Sequence, residues 1–158
     1  MDKTTREVMF SSKSNEWATP QSFFDKLNNI FGPFTLDAAA SADNYKVVNH
    51  FTQNDNALDK DWGGHKVFLN PPYGRALKDW VKKAYEEGQK DNTVVVMLIP
   101  ARTDTQYWHD WVMKADEIRF VRGRIKFGDE TNSAPFPSAV VVFRKSAYPA
   151  PRITGMER

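Results

Sequence analysis

The segment Lys66-Val-Phe-Leu-Asn-Pro-Pro-Tyr-Gly74 constrains the fold more than any other stretch of this chain. Three residues of strand character, Val67 to Leu69, run directly into two prolines, which fix φ at about −65° and lack the N–H that a sheet ladder needs. An apolar strand must therefore stop at Asn70 and release a stiff, polar loop. That loop leaves the Asn70 and Pro71 carbonyl groups free to accept hydrogen bonds and sets an aromatic ring, Tyr73, beside them. Two acceptors next to a ring suit a planar amine.

The rest of the sequence alternates helix and strand signals. Thr19 and Pro20 predict the cap and first turn of a helix that carries Phe23, Phe24, Leu27 and Phe31 at helical spacing and stops at Gly32-Pro33. Phe34 to Asp37 predicts a short strand ending on a carboxylate, and Lys66 to Leu69 a second one. Leu77, Trp80, Val81, Ala84 and Tyr85 mark a helix ending near Gly88, and Thr93 to Ile99 is a near-continuous apolar run that fits a strand covered on both faces. Asp104 to Met113 reads as a helix, Glu117 to Val121 as a strand, and Ser138 to Phe143 as the last strand. The pattern predicts an α/β fold with a single doubly wound, mostly parallel sheet. Ligands of such sheets bind beyond the carboxyl ends of the strands, where both Asp37 and Asn70 fall. Residues 1–14 read as a flexible arm, 15–145 as the folded domain, and 146–158 as a C-terminal tail.

Composition excludes more than it proposes. The 158 residues suit one domain, and a formal charge of +2 is too small to identify a nucleic-acid partner without a local cluster of basic side chains. With no cysteine, and with His50, His65 and His109 scattered, the sequence predicts neither a disulfide framework nor a metal site. No apolar run approaches the length of a membrane span and no secretory signal pattern opens the chain, so no membrane partner and a cytoplasmic location are expected. Oligomeric state is not legible.

Several segments share their order and residues with one family. Asn15-Glu-Trp-Ala-Thr19-Pro20, Leu36-Asp-Ala-Ala-Ala40, the Asn-Pro-Pro-Tyr-Gly loop, Leu98-Ile-Pro-Ala-Arg102-Thr-Asp-Thr105 and Arg119-Phe-Val-Arg-Gly-Arg-Ile-Lys-Phe127 together resemble the phage-type DNA N-6-adenine methyltransferases, the Dam-like group of phages and prophages. The resemblance spans residues 15–145. It implies a Rossmann-like class I methyltransferase fold, S-adenosylmethionine as methyl donor without a metal, and double-stranded DNA as substrate. With 32 residues between Asp37 and Asn70, the fold is expected to be abbreviated there.

The resemblance makes Asn70, Pro71, Pro72 and Tyr73 the expected catalytic loop. The Asn70 side-chain oxygen and the Pro71 carbonyl would each accept one N–H of the adenine amine, turning its lone pair toward the methyl group, while Tyr73 stacks on an extruded base and Pro72 orients the ring. For the donor it points to Trp17, Thr19 and Pro20, to Asp37 and Ala38 in a turn without the usual glycines, to Asp55, and to Asn70 itself. Arg119, Arg122, Arg124 and Lys126 form a basic cluster interleaved with Phe120, Val121, Ile125 and Phe127, and with Arg75 and Arg102 they are the expected phosphate contacts. The segment of about 119–137 is the expected recognition element. Cytosine-N4 methylation needs nearly the same loop, an RNA substrate would be handled by the same stacking, and a non-catalytic DNA- or donor-binding protein would explain the missing glycines.

Overall fold

In the computed structural model, which describes residues 17–128 and 133–158, six strands form one mixed sheet. In chain order the elements are α1 (Gln21–Phe31), β1 (Leu36–Asp37), two 3-10 turns (Gln53–Asp55 and Ala57–Asp59), β2 (Lys66–Leu69), α2 (Leu77–Gly88), β3 (Val94–Pro100), α3 (Gln106–Asp110), a third 3-10 turn (Val112–Lys114), β4 (Glu117–Arg122), β5 (Ser138–Phe143) and β6 (Arg152–Glu157). The strand order is β1-β2-β3-β5-β4-β6. The arm expected over residues 1–14 lies outside the described residues, as does the middle of the recognition segment.

The α/β class agrees with the sequence, but the expected mostly parallel sheet is corrected to a mixed one. Strand β5 runs antiparallel to both β3 and β4, whereas β1, β2 and β3 are mutually parallel and β6 is parallel to β4. The reason lies in the connection. Parallel neighbours require a crossover element, and among the described residues no helix separates β4 from β5, so the chain doubles back. The stretch expected as a C-terminal tail carries β6. Its side chains are almost all exposed, so it has no apolar alternation, and it joins the sheet through its backbone and through Arg152.

Helices cover both faces. On one, Phe24 of α1 meets Phe68 edge-on at 5.0 Å, and Phe34 closes the cluster. On the other, Tyr85 of α2 meets Phe143 at 6.0 Å and Trp111 at 5.3 Å. Phe143 pairs with Val95, which pairs with Val67, so it points away from the Phe68 face. The strands β3 and β5 between these layers are buried almost throughout, which explains their continuous apolar sequences. Gly88 lets α2 end directly on β5: a Cβ there would lie 2.7 Å from that of Phe143.

Small shifts separate expected from observed elements. Strand β1 is two residues long, the helix expected over 104–113 is broken into α3 and a 3-10 turn, and Pro20 rather than Thr19 occupies the cap position of α1. Thr19 is thereby released from capping. Five strands, all but β5, direct their carboxyl ends to one end of the sheet, where the loops after Asp37, Leu69 and Pro100 converge.

Candidate active site

Asn70 follows the last residue of β2, and its side chain is engaged on both ends. Its Nδ2 donates to the backbone carbonyl of Trp17 and, at 2.9 Å, to the Thr19 hydroxyl; its Oδ1 accepts the Tyr73 hydroxyl at 2.9 Å. A backbone carbonyl can only accept, so the amide nitrogen must face Trp17 and the amide oxygen must face Tyr73. The orientation of the amide follows from its neighbours. Gly74, at φ 106°, then turns the chain from the loop toward α2, a conformation that favours glycine.

Tyr73 is 6 % exposed. Its hydroxyl also lies 3.2 Å from the Leu98 carbonyl, giving its one proton two possible acceptors, and burial pushes the phenol well above the usual tyrosine range, so it remains a donor. The ring sits edge-to-face with Phe136 at 5.6 Å and with Phe127 at 6.4 Å, and Trp17 meets the same two phenyl rings at 5.4 and 5.8 Å. Three aromatics, Trp17, Phe127 and Phe136, thus wall the Tyr73 side of the loop. Gly128 N–H donates to the Ala18 carbonyl, tying the segment after β4 to the strap before α1.

The same end of the sheet holds a cleft of about 500 Å³. Trp17, Ala18 and Thr19 line it together with Asp37, Ala38, Asn70, Pro71 and Pro72. Asp37 is buried, and its two oxygens accept the backbone N–H groups of Ala39 at 3.3 Å and Lys46 at 2.9 Å, folding the loop after β1 around the carboxylate. Burial holds its carboxyl above the ordinary aspartate value, against the two N–H groups that favour the charged form. Sequence reasoning missed part of the lining: Asn44, Lys46, Phe51, Gln53 and Trp80. Only Trp80 stands in a periodic pattern, and there it reads as a core residue. Phe136 was missed as well, for it sits in a segment whose composition reads only as a loop.

Two expected donor contacts lie off the cleft lining. Pro20 caps α1 beside it, its carbonyl accepting the N–H groups of Phe23 and Phe24. Asp55 is exposed; Thr52 donates to it through its backbone at 2.7 Å and its hydroxyl at 3.1 Å, and these bonds hold the carboxyl below its ordinary value. The carboxylate closes a 3-10 turn whose neighbours Thr52, Gln53 and Asn56 reach the cleft instead.

Arg75, Arg102, Arg122, Arg124 and Lys126 are exposed, each at or just beyond the carboxyl end of β2, β3 or β4. Arg122 lies 3.6 Å from Glu157, and Arg124 donates to the Ala134 carbonyl at 3.4 Å. Arg119 does not join them: mid-strand, it donates to Glu117 at 2.5 Å and its guanidinium lies 4.9 Å from the Phe31 ring centre. Alternation along β4 turns it under α1, away from the loop end.

Comparison with known proteins identifies relatives of the chain. The family model described as DNA N-6-adenine-methyltransferase (Dam) matches residues 7–157. A "DNA N-6-adenine-methyltransferase" of Haemophilus phage HP1 is 34% identical over 150 residues, covering 90% of this chain and 86% of the relative. A protein of the same description from Escherichia phage T1 is 37% identical over 106 residues, 66% of this chain and 44% of the relative. A "Putative methyltransferase YfdM" of Escherichia coli K12 is 40% identical over 65 residues, 37% of this chain and 71% of the relative.

Proposed function

The chain belongs to the DNA N-6-adenine-methyltransferase family, and we propose that it transfers a methyl group from S-adenosylmethionine to the N6 amine of an adenine extruded from double-stranded DNA. The observation that carries the reading is that Asn70, with its amide oxygen oriented by its neighbours, lines the same cleft as the buried carboxylate of Asp37. On this reading the sheet is an abbreviated class I methyltransferase fold, and the enzyme works in the cytoplasm of a bacterial host.

The residues present suit the donor. The cleft has the size of a small-molecule site, aromatic and aliphatic walls from Trp17, Phe51, Ala57, Leu58 and Trp80, and a buried carboxylate for a cationic group. Trp17, Asp37 and Ala38 are the residues assigned to hold it, while Asn70, on the same lining, is assigned to the substrate amine. Bound there, S-adenosylmethionine supplies an electrophilic methyl on a sulfonium sulfur.

The chain's own task is to make a poor nucleophile react. Adenine's amino nitrogen shares its lone pair with the ring, and acceptors on both N–H bonds draw that pair back. Asn70 Oδ1 and the Pro71 carbonyl take those bonds. The amide oxygen has two lone pairs, so it accepts the substrate amine beside the Tyr73 hydroxyl, and that hydroxyl can shift its proton to Leu98 as the amine arrives. Tyr73 stacks on the base only if the base replaces one of the phenyl rings now packed against it, Phe127 or Phe136. Pro72 keeps the Tyr73 ring in place. Arg75, Arg102, Arg122, Arg124 and Lys126 neutralise phosphates around the entry.

Labelled methyl transfer to unmethylated duplex DNA, followed by nucleoside digestion and mass analysis, tests the reading. N6-methyladenine is the expected product. N4-methylcytosine would keep the mechanism and change the target; no incorporation, with no donor binding, would replace the enzyme with a non-catalytic DNA-binding protein.

A further inference from the structure

We infer that Thr19 is a positioning residue for methyl transfer, acting through Asn70: its hydroxyl holds the second amide N–H and so fixes the direction of the oxygen that meets the substrate amine. The inference rests on the reading of Asn70 given above.

The geometry separates two tasks that one amide must perform. Which end of the Asn70 amide faces Trp17 is decided by the Trp17 carbonyl, an obligate acceptor. Once the Tyr73 hydroxyl has turned its proton to Leu98, that one bond still allows the amide plane to rotate about it. The Thr19 hydroxyl, 2.9 Å from the same nitrogen, takes the other N–H and removes that freedom. Oδ1 is then aimed along one line, with Tyr73 marking it at 2.9 Å. Because Asn70 is neutral, its oxygen is a weaker acceptor than a carboxylate, and its contribution depends more heavily on direction.

The environment of Thr19 matches this task better than a capping one. It is 5 % exposed, the cap position of α1 belongs to Pro20, and the Pro20 carbonyl accepts the N–H groups of Phe23 and Phe24. Among the described residues no capping bond uses the hydroxyl. Fifty-one positions of sequence separate Thr19 from Asn70, so the contact forms only when the strap of residues 17–19 is seated over the loop. That strap also carries the Trp17 ring against Phe127 and Phe136 and the Ala18 carbonyl against Gly128. The segment that aims the amide is therefore itself fastened to the segment after β4.

The test compares wild type, Thr19→Val and Thr19→Ser in steady-state methylation of duplex DNA, with donor dissociation constants and melting temperatures measured alongside. Valine keeps the shape and removes the hydroxyl. The expected result is a fall in kcat of about 10-fold in Thr19→Val, with KM for DNA and donor affinity within about 2-fold of wild type, and recovery of most of the loss in Thr19→Ser. An unchanged kcat in Thr19→Val would overturn the inference. So would a loss of donor affinity equal to the loss of activity, which would make Thr19 a donor-binding residue, or a Thr19→Ser enzyme no better than Thr19→Val. An inactive wild type would instead overturn the reading of the whole site, and this inference with it.

Discussion

The two ends of the sheet carry charge in opposite ways. At the amino end of the parallel strands, basic side chains meet acidic ones: Lys90 lies 2.8 Å from Asp61 and 2.7 Å from Glu87, Lys145 pairs with Asp91, and Arg144 and Arg152 converge on Asp116 at 2.6 and 2.8 Å. At the carboxyl end, Arg75, Arg102 and Lys126 are exposed and their side chains have no hydrogen-bond or ion-pair partner among the described residues. A formal charge of +2 hides this division. Paired charges at one end serve cohesion, and on the proposed reading exposed ones at the other serve attraction to a polyanion.

The contrast is broken most severely at the carboxyl end. Asn70→Ala is expected to lower turnover about 100- to 1000-fold while leaving the donor dissociation constant within about 2-fold, read by labelled-methyl incorporation and calorimetric titration. An equal loss of donor affinity would make the loop structural. At the amino end the large effect is on stability instead. Asp116 is 3 % exposed; burial would raise its carboxyl, but hydrogen bonds from Ser146, Arg144 and Arg152 hold it below the ordinary value. A depressed carboxyl stabilises the fold above its unfolded value and loses that contribution as pH falls through the folded one. Asp116→Asn is expected to cost about 2–3 kcal/mol in urea unfolding near neutral pH, with methyl transfer per folded molecule unchanged.

A finer measurement compares the basic residues themselves. Replacing Arg75, Arg102 or Lys126 by alanine should each reduce the slope of log affinity for duplex DNA against log salt by about 0.9, whereas Lys90→Ala and Lys145→Ala should leave it unchanged. Equal slopes at both ends would erase the distinction. The smallest expected effect concerns pH. Because burial raises the Asp37 carboxyl, it takes up its proton at a higher pH than an exposed aspartate, so donor affinity should decline as pH falls toward that raised value. Asp37→Asn should flatten the profile. The folded chain binds this proton more tightly than the unfolded chain, so the carboxyl favours folding most at low pH and less as pH rises through its folded value.

Much of this arrangement is legible in the sequence. The limits of β2 and β5 coincide with those read from sequence, because prolines stop one and a run that is apolar after Ser138 defines the other. Strand direction was not legible for β5, since side-chain period carries no polarity; the lack of a helical pattern in the sequence between β4 and β5 was the available signal. Strand β6 escaped because its contacts are made by backbone and by the long-range pair of Arg152 with Asp116. Within the site, the loop Asn70 to Tyr73 could be named from local chemistry, and Asp37 from its place at a strand end. The partners Thr19, Phe127 and Phe136 could not be given their contacts, since each meets the loop only across the folded chain.

The strand order also governs when this protein can come into being on the ribosome. The central pairing joins Val95 to Phe143, and Lys26 of α1 donates to the carbonyls of Glu157 and Arg158. A nascent chain that has emerged only as far as α3 owns the loop of Asn70 yet lacks β5, β4 and the rings that wall Tyr73. Such non-local pairing delays assembly until β4 and β5 have been synthesised. Truncated products would therefore carry the motif without the machine.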